Sequence, residues 1–157
     1  MKLFSQIAFA GLLSIASILH IASASAHEIR VGHLLIEHPW ARQSPMKADV
    51  AAGFMVITNE GTEDDRLVKV TADISKNVQL HDMKMVGDVM KMVELPDGIV
   101  IPAGGAVALK PRSLHVMFMD VVSQPAVGEA FDGVLTFEKA GTVKVDFEVM
   151  PPNAGMN

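Results

Sequence analysis

The sequence predicts an all-β fold, a single-domain β-sandwich or small barrel with Greek-key connections. Three observations predict it. Short β-branched runs recur between Gly, Pro, Asn and Asp punctuation, no window sustains a helical period, and 157 residues is the length of one domain. Half of the residues are apolar and a fifth are charged, so a chain of this length buries a real core without the disulfides that its lack of cysteine forbids.

In chain order, the first element is a secretory signal over residues 1–26. Lys2 supplies its positive end, Ile7 to Ile21 is mostly apolar, and Ala22-Ser23-Ala24-Ser25-Ala26 offers a small-residue cleavage site before His27. The apolar run is short for a membrane span of about 20 residues, which favours cleavage over anchoring. The expected product is periplasmic, with no stable membrane insertion, its folded domain spanning residues 27–150. Strands are expected at Leu34 to Glu37, Gly53 to Thr58, Leu67 to Thr71, Val78 to Met83, Val89 to Leu95, Ile99 to Ile101, Ala106 to Leu109, His115 to Met119, Gly133 to Phe137 and Val143 to Val149. Pro151 to Asn157 reads as a loose, flexible tail.

Lys and Arg total 13 against 18 Asp and Glu, scattered along the chain, and this balance argues against nucleic acid as a partner. The absence of cysteine removes cysteine-protease, thioredoxin-like, iron–sulfur, thiolate-zinc and blue-copper chemistry. What stands out is 11 Met beside 6 His.

Six of those methionines fall within 37 residues, at Met83, Met85, Met90, Met92, Met117 and Met119, together with His81 and His115. Their spacing is that of strands. Alternation puts His115, Met117 and Met119 on one face with Val116 and Phe118 on the other, and it groups His81, Met83 and Met85 in the same way. A hairpin around Val86-Gly87-Asp88 admits two registers. A Val86-Gly87 loop sets His81 opposite Met92, whereas a Gly87-Asp88 loop sets Met83 opposite Met92 and Met85 opposite Met90. Both keep Met90 and Met92 on the His81 face. Methionine alone is as readily core filling as ligand. Two histidines within the cluster tip the reading towards metal, because soft thioethers select Cu(I), imidazole accepts either copper state, and thioethers form no disulfides in an oxidising compartment.

His81, ten residues, Met92, then 22 residues and His115-x-Met117 resembles the signature of the periplasmic copper chaperone family PCu(A)C, which carries about twenty-one residues in the second interval. Further stretches are similar: His38-Pro39-Trp40-Ala41-Arg42, Asn59-Glu60-Gly61, Val89-Met90-Lys91-Met92, Ile101-Pro102-Ala103-Gly104-Gly105 and Leu109-Lys110-Pro111. The likeness spans residues 34–149. It implies a cupredoxin-like β-sandwich or barrel that is not an enzyme and holds one Cu(I) through His81, Met92, His115 and Met117. It also implies delivery by ligand exchange to the copper-bearing subunit of cytochrome c oxidase, directly or with a Sco-type copper protein. Met83, Met90 and Met119 are then outer sulfurs, expected mainly to cover the ion.

Two other functions compete, a periplasmic copper buffer without a dedicated recipient and a β-sandwich interaction module whose methionines are core. His27 could hold Cu(II) with the terminal amine, although terminal residues are more often merely disordered. Trp40 reads as a packing anchor and Met55 as core. Ser113, His115 and Asp120 contain the residue types of a hydrolase triad but lack a nucleophile elbow.

Overall fold

Alternation of buried and exposed side chains accounts for most of the chain. The computed structural model describes residues 28–45 and 47–156, so the signal segment and His27 lie outside the described residues. Eleven strands are present among them: β1 Glu28–Val31, β2 Leu34–Arg42, β3 Ala51–Asn59, β4 Asp65–Ala72, β5 Ser75–Val86, β6 Val89–Glu94, β7 Ile99–Ile101, β8 Ala106–Leu109, β9 His115–Val121, β10 Ala130–Phe137 and β11 Gly141–Met150. All ten expected strands are found, most of them longer than expected. β1 is additional: its Glu-Ile-Arg-Val alternation is short and pairs with the start of β2 across a turn at Gly32.

Seven strands close on themselves in the order β2-β11-β10-β4-β5-β9-β3, because β3 pairs back onto β2. A closed barrel leaves no free edge around the ring. Strands distant in sequence lie side by side, β9 beside β3 and β10 beside β4, through crossings of the Greek-key kind. β1, β6, β7 and β8 attach outside this ring. Among the described residues no helix is long and apolar enough to cross a membrane.

The barrel interior takes one residue in two from each strand, including Leu34, Ile36, Met55, Ile57, Leu80, Val116 and Leu135. At its centre Phe118 meets Phe131 and Phe147 edge to face, with centroids 5.2 and 5.3 Å apart. These rings need room. A Cβ on Gly53 would come within 2.7 Å of the Phe118 ring, and one on Gly133 within 2.6 Å of Phe147, so glycine at both places lets the rings lie against backbone.

One irregularity positions the site. The β2–β3 register slips by one residue between Glu37 and Trp40, and His38 there adopts φ 47°. This β-bulge lets the strand continue through Pro39, which is why β2 outruns its expected end at Glu37. It also changes which residues face inwards. Leu34 and Ile36 point into the core before the bulge and Ala41 after it, so Trp40 is delivered to the outer surface.

Candidate metal centre

Five strands contribute one residue each to a row across the outer face. Trp40 on β2 pairs with Phe54 on β3, the Phe54 ring lies 6.5 Å from His115 on β9, His115 pairs with His81 on β5, and His81 pairs with Glu94 on β6. The next row carries Arg42, Ala52, Met117 and Gln79. The hairpin follows the second of its two open registers, with Gly87-Asp88 as the loop, Met83 opposite Met92 and Met85 opposite Met90. Gly87 at φ 63° takes the first central position, where a II′ hairpin wants glycine.

His81 is thus the hub of the face. His115 is its direct neighbour, while Met117 on one side and Met92 on the other occupy diagonal positions, about 7–8 Å away and within reach of a long, flexible thioether. The remaining expected sulfurs divide. Met83 and Met90 lie with Met85 and Met92 on the hairpin. Met119 sits opposite Asn77, beyond Met117 and away from the hairpin.

Both imidazoles are buried, His81 at 8% and His115 at 5% exposure, although they stand outside the barrel core. On the β3 side His115 is flanked by aromatic packing. Phe54 is packed beneath Trp40 with centroids 4.5 Å apart, and the guanidinium of Arg42 lies 5.6 Å above the Phe54 ring. The segment read as a tail touches this layer at two points: Arg42 Nη2 donates to the Ala154 carbonyl at 2.8 Å, and a Cβ on Gly155 would come within 3.1 Å of both Trp40 and Pro111.

The ring nitrogens are sorted by their partners. His115 Nδ1 lies 2.8 Å from the Ser113 carbonyl, which can only accept, so Nδ1 carries the proton and Nε2 keeps the lone pair. Ser113 acts through its backbone, so the triad reading finds no support in this contact. His81 Nε2 lies 2.9 Å from Gln79 Oε1, which leaves Nδ1 as the basic nitrogen; that atom is buried and has no hydrogen-bond partner among the described residues. A buried lone pair without a donor is costly unless something else occupies it. The two imidazoles meet edge to face with centroids 5.6 Å apart. Two prepared nitrogens with thioethers on either diagonal are a donor set suited to a soft monovalent ion.

Burial holds His81 below the ordinary imidazole value, the proximity of His115 adds to this, and Glu94 opposes it. Because the unfolded chain binds protons more readily, folding stability falls as pH drops through about 6.5 and levels off below the depressed folded value. Copper-free protein is therefore expected to unfold at lower denaturant at about pH 5.5 than at about pH 7.5, and His81→Gln is expected to flatten that difference. Equal pH dependence in the two proteins, measured by denaturant titration, would show that His81 is not the group responsible.

His33 lies in the β1–β2 turn and His38 is exposed on the bulge, and among the described residues neither joins the imidazole pair in a cluster that could hold a metal. Met55 is core, as expected. Gln79, Phe54 and Glu94 were not anticipated. Alternation alone brings Gln79 to the His81 face, but Phe54 and Glu94 follow only from the strand registers. A cavity of about 450 Å³ lies elsewhere, lined by His33, Asn59, Asp65 and Lys139 among others. Its buried polar groups are already engaged: Asp65 accepts from the amides of Arg66, Lys139 and Ala140, and Asn59 donates to the carbonyls of Glu63 and Ile101.

The site is thus an imidazole pair on the outer wall of a closed β-barrel. Residues 34–149 match the family described as "Putative lipoprotein LpqE-like". A copper-bound PCuAC domain from PmoF2 is 32% identical, with a TM-score of 0.69 over 80% of this chain and 99% of that domain. The Cu(I) form of DR1885 from Deinococcus radiodurans, solved in solution, is 25% identical, with a TM-score of 0.60 over 85% of this chain and 87% of that one. A putative lipoprotein of Leifsonia xyli subsp. xyli is 24% identical over 124 residues, covering 79% of this chain and 74% of the relative. The chain belongs to the LpqE-like, or PCu(A)C, family, whose cupredoxin-like fold is that of a copper chaperone and not of an enzyme.

Proposed function

We propose that this protein is an exported, periplasmic metallochaperone that holds one Cu(I) with His81, His115, Met92 and Met117 and passes it on by ligand exchange. On this reading residues 1–26 are a cleaved signal. The observation that carries the proposal is the orphaned Nδ1 of His81, buried beside His115, whose own Nδ1 is tied to Ser113. Gln79 and Ser113 hold the two rings in the tautomers that present lone pairs, so the imidazoles are ready to bind without rearranging. Support also comes from the relatives, since PmoF2 and DR1885 have both been solved with copper bound.

Release follows from unequal exposure. Met92 stands exposed on the hairpin while both imidazoles are buried. A recipient's ligands would first displace the Met92 thioether, then Met117, and only last the nitrogens. The recipient we infer is the copper-bearing subunit of cytochrome c oxidase, reached directly or with a Sco-type copper protein.

The test is kinetic. Copper-loaded protein is expected to fill an apo oxidase copper domain faster than copper dissociates from it to a small-molecule chelator. If transfer is no faster than dissociation, the protein is a buffer rather than a chaperone.

A further inference from the structure

Beyond His81, every residue that the β5–β6 hairpin places on the His81 face, up to its tip pair, is methionine. Met83 stands opposite Met92 and Met85 opposite Met90. Directly paired side chains lie about 4.5–5.5 Å apart at Cβ, and successive pairs about 7 Å apart along the strands. Four sulfurs on flexible stems therefore occupy one small rectangle. The opposite face carries Asp82, Lys84, Lys91 and Val93, with Val86 and Val89 at the tip, so the methionines are sorted to one side.

These methionines are poorly placed to fill a core or to seal the imidazoles. Met85, Met90 and Met92 are 60%, 46% and 48% exposed, and Met83 is half-buried. Apolarity alone does not explain the choice of residue either. Strand positions favour β-branched and aromatic side chains, as the Val86–Val89 pair at the tip illustrates, and methionine is not among them. What four methionines share and valine lacks is a soft sulfur donor.

We propose that Met83, Met85 and Met90 form a second, outer site for a soft monovalent cation, Cu(I) or Ag(I), with Met92 common to this site and the imidazole pair. An ion captured at the tip reaches His81 by exchanging one thioether at a time, with Met92 bound throughout. This handover rests on the reading of His81 and His115 as copper-holding; the outer site does not.

The probe is Ag(I), a diamagnetic soft ion, added to protein carrying 13C-methyl methionine and followed by NMR. In His81→Ala/His115→Ala protein, the Met83, Met85 and Met90 methyl signals are expected to shift and saturate with one equivalent. Adding Met85→Leu/Met90→Leu to that background keeps the face apolar and is expected to abolish the binding. Hairpin methyls that stay unmoved under excess Ag(I), or binding that survives both leucines, would overturn the outer site. Should the double histidine variant not fold, the same leucine pair in the parent protein must remove one of two Ag(I) equivalents and spare the other; failure to do so is equally decisive. Outer shifts in a parent protein that lacks a tight inner equivalent would instead reject the chaperone reading while sustaining this one.

Discussion

Replacing His115 with alanine is expected to weaken Cu(I) binding by about a hundredfold or more. Loss of a group that merely orients a ligand typically costs 10–100-fold, and His115 is proposed as a ligand itself. The damage should also exceed the loss of one donor, because His115 stands between Phe54 and His81, and its removal leaves a gap beside the remaining imidazole. Met92→Leu removes an exposed thioether of similar bulk and is expected to cost less affinity. Gln79→Leu gives an intermediate case. It touches no copper in this scheme, yet it frees His81 Nε2 from the acceptor that fixes its tautomer, and a loss of about 10–100-fold is expected. Gln79→Glu restores the acceptor and is expected to recover most of the affinity. Anaerobic competition against a chromogenic Cu(I) chelator measures all four variants. Parent-like affinity in both His115→Ala and Met92→Leu would reject the His/Met site.

Phe118→Ala is expected to destabilise the barrel by about 3–5 kcal/mol, the usual range for a buried aromatic truncated to alanine. Phe118 is fully buried and meets both Phe131 and Phe147. On the β3 side its ring rests on Gly53, which has no side chain with which to fill the space left behind. The same strand carries His115 and Met117 on its outer face, so copper is expected to recover part of the lost stability by binding only the folded form. By contrast Met85→Leu, on the exposed hairpin, should stay within about 0.5 kcal/mol of the parent. Denaturant midpoints at unchanged slope give these differences directly. A Phe118→Ala loss of under about 1 kcal/mol would mean that the aromatic cluster does not anchor the core.

Much of the candidate metal centre was legible because strand alternation is strict. His115, Met117 and Met119 had to share a face once Val116 and Phe118 were assigned to the core, and both are fully buried. The hairpin register was narrowed to two possibilities, and turn chemistry explains the outcome. A Val86-Gly87 loop would ask a β-branched residue to take a positive φ in a primed turn, whereas Gly87-Asp88 places glycine there. Gln79 could have been found two residues before His81 on the same face. Ser113 gave no such signal, because it contributes a backbone carbonyl that every residue possesses.

By itself the sequence determined the class of fold, ten of the eleven strands and the histidines and methionines that share a face within each strand, since each depends on local period and residue type. Only the tertiary structure decided that His81 lies opposite His115, and that Phe54 stands beside His115 with Trp40 packed on it. The reason is that these neighbours come from strands far apart in the chain, brought together by barrel closure and by a one-residue bulge at His38. Such a slip reverses which face each later side chain takes, and no local pattern in the sequence encodes it.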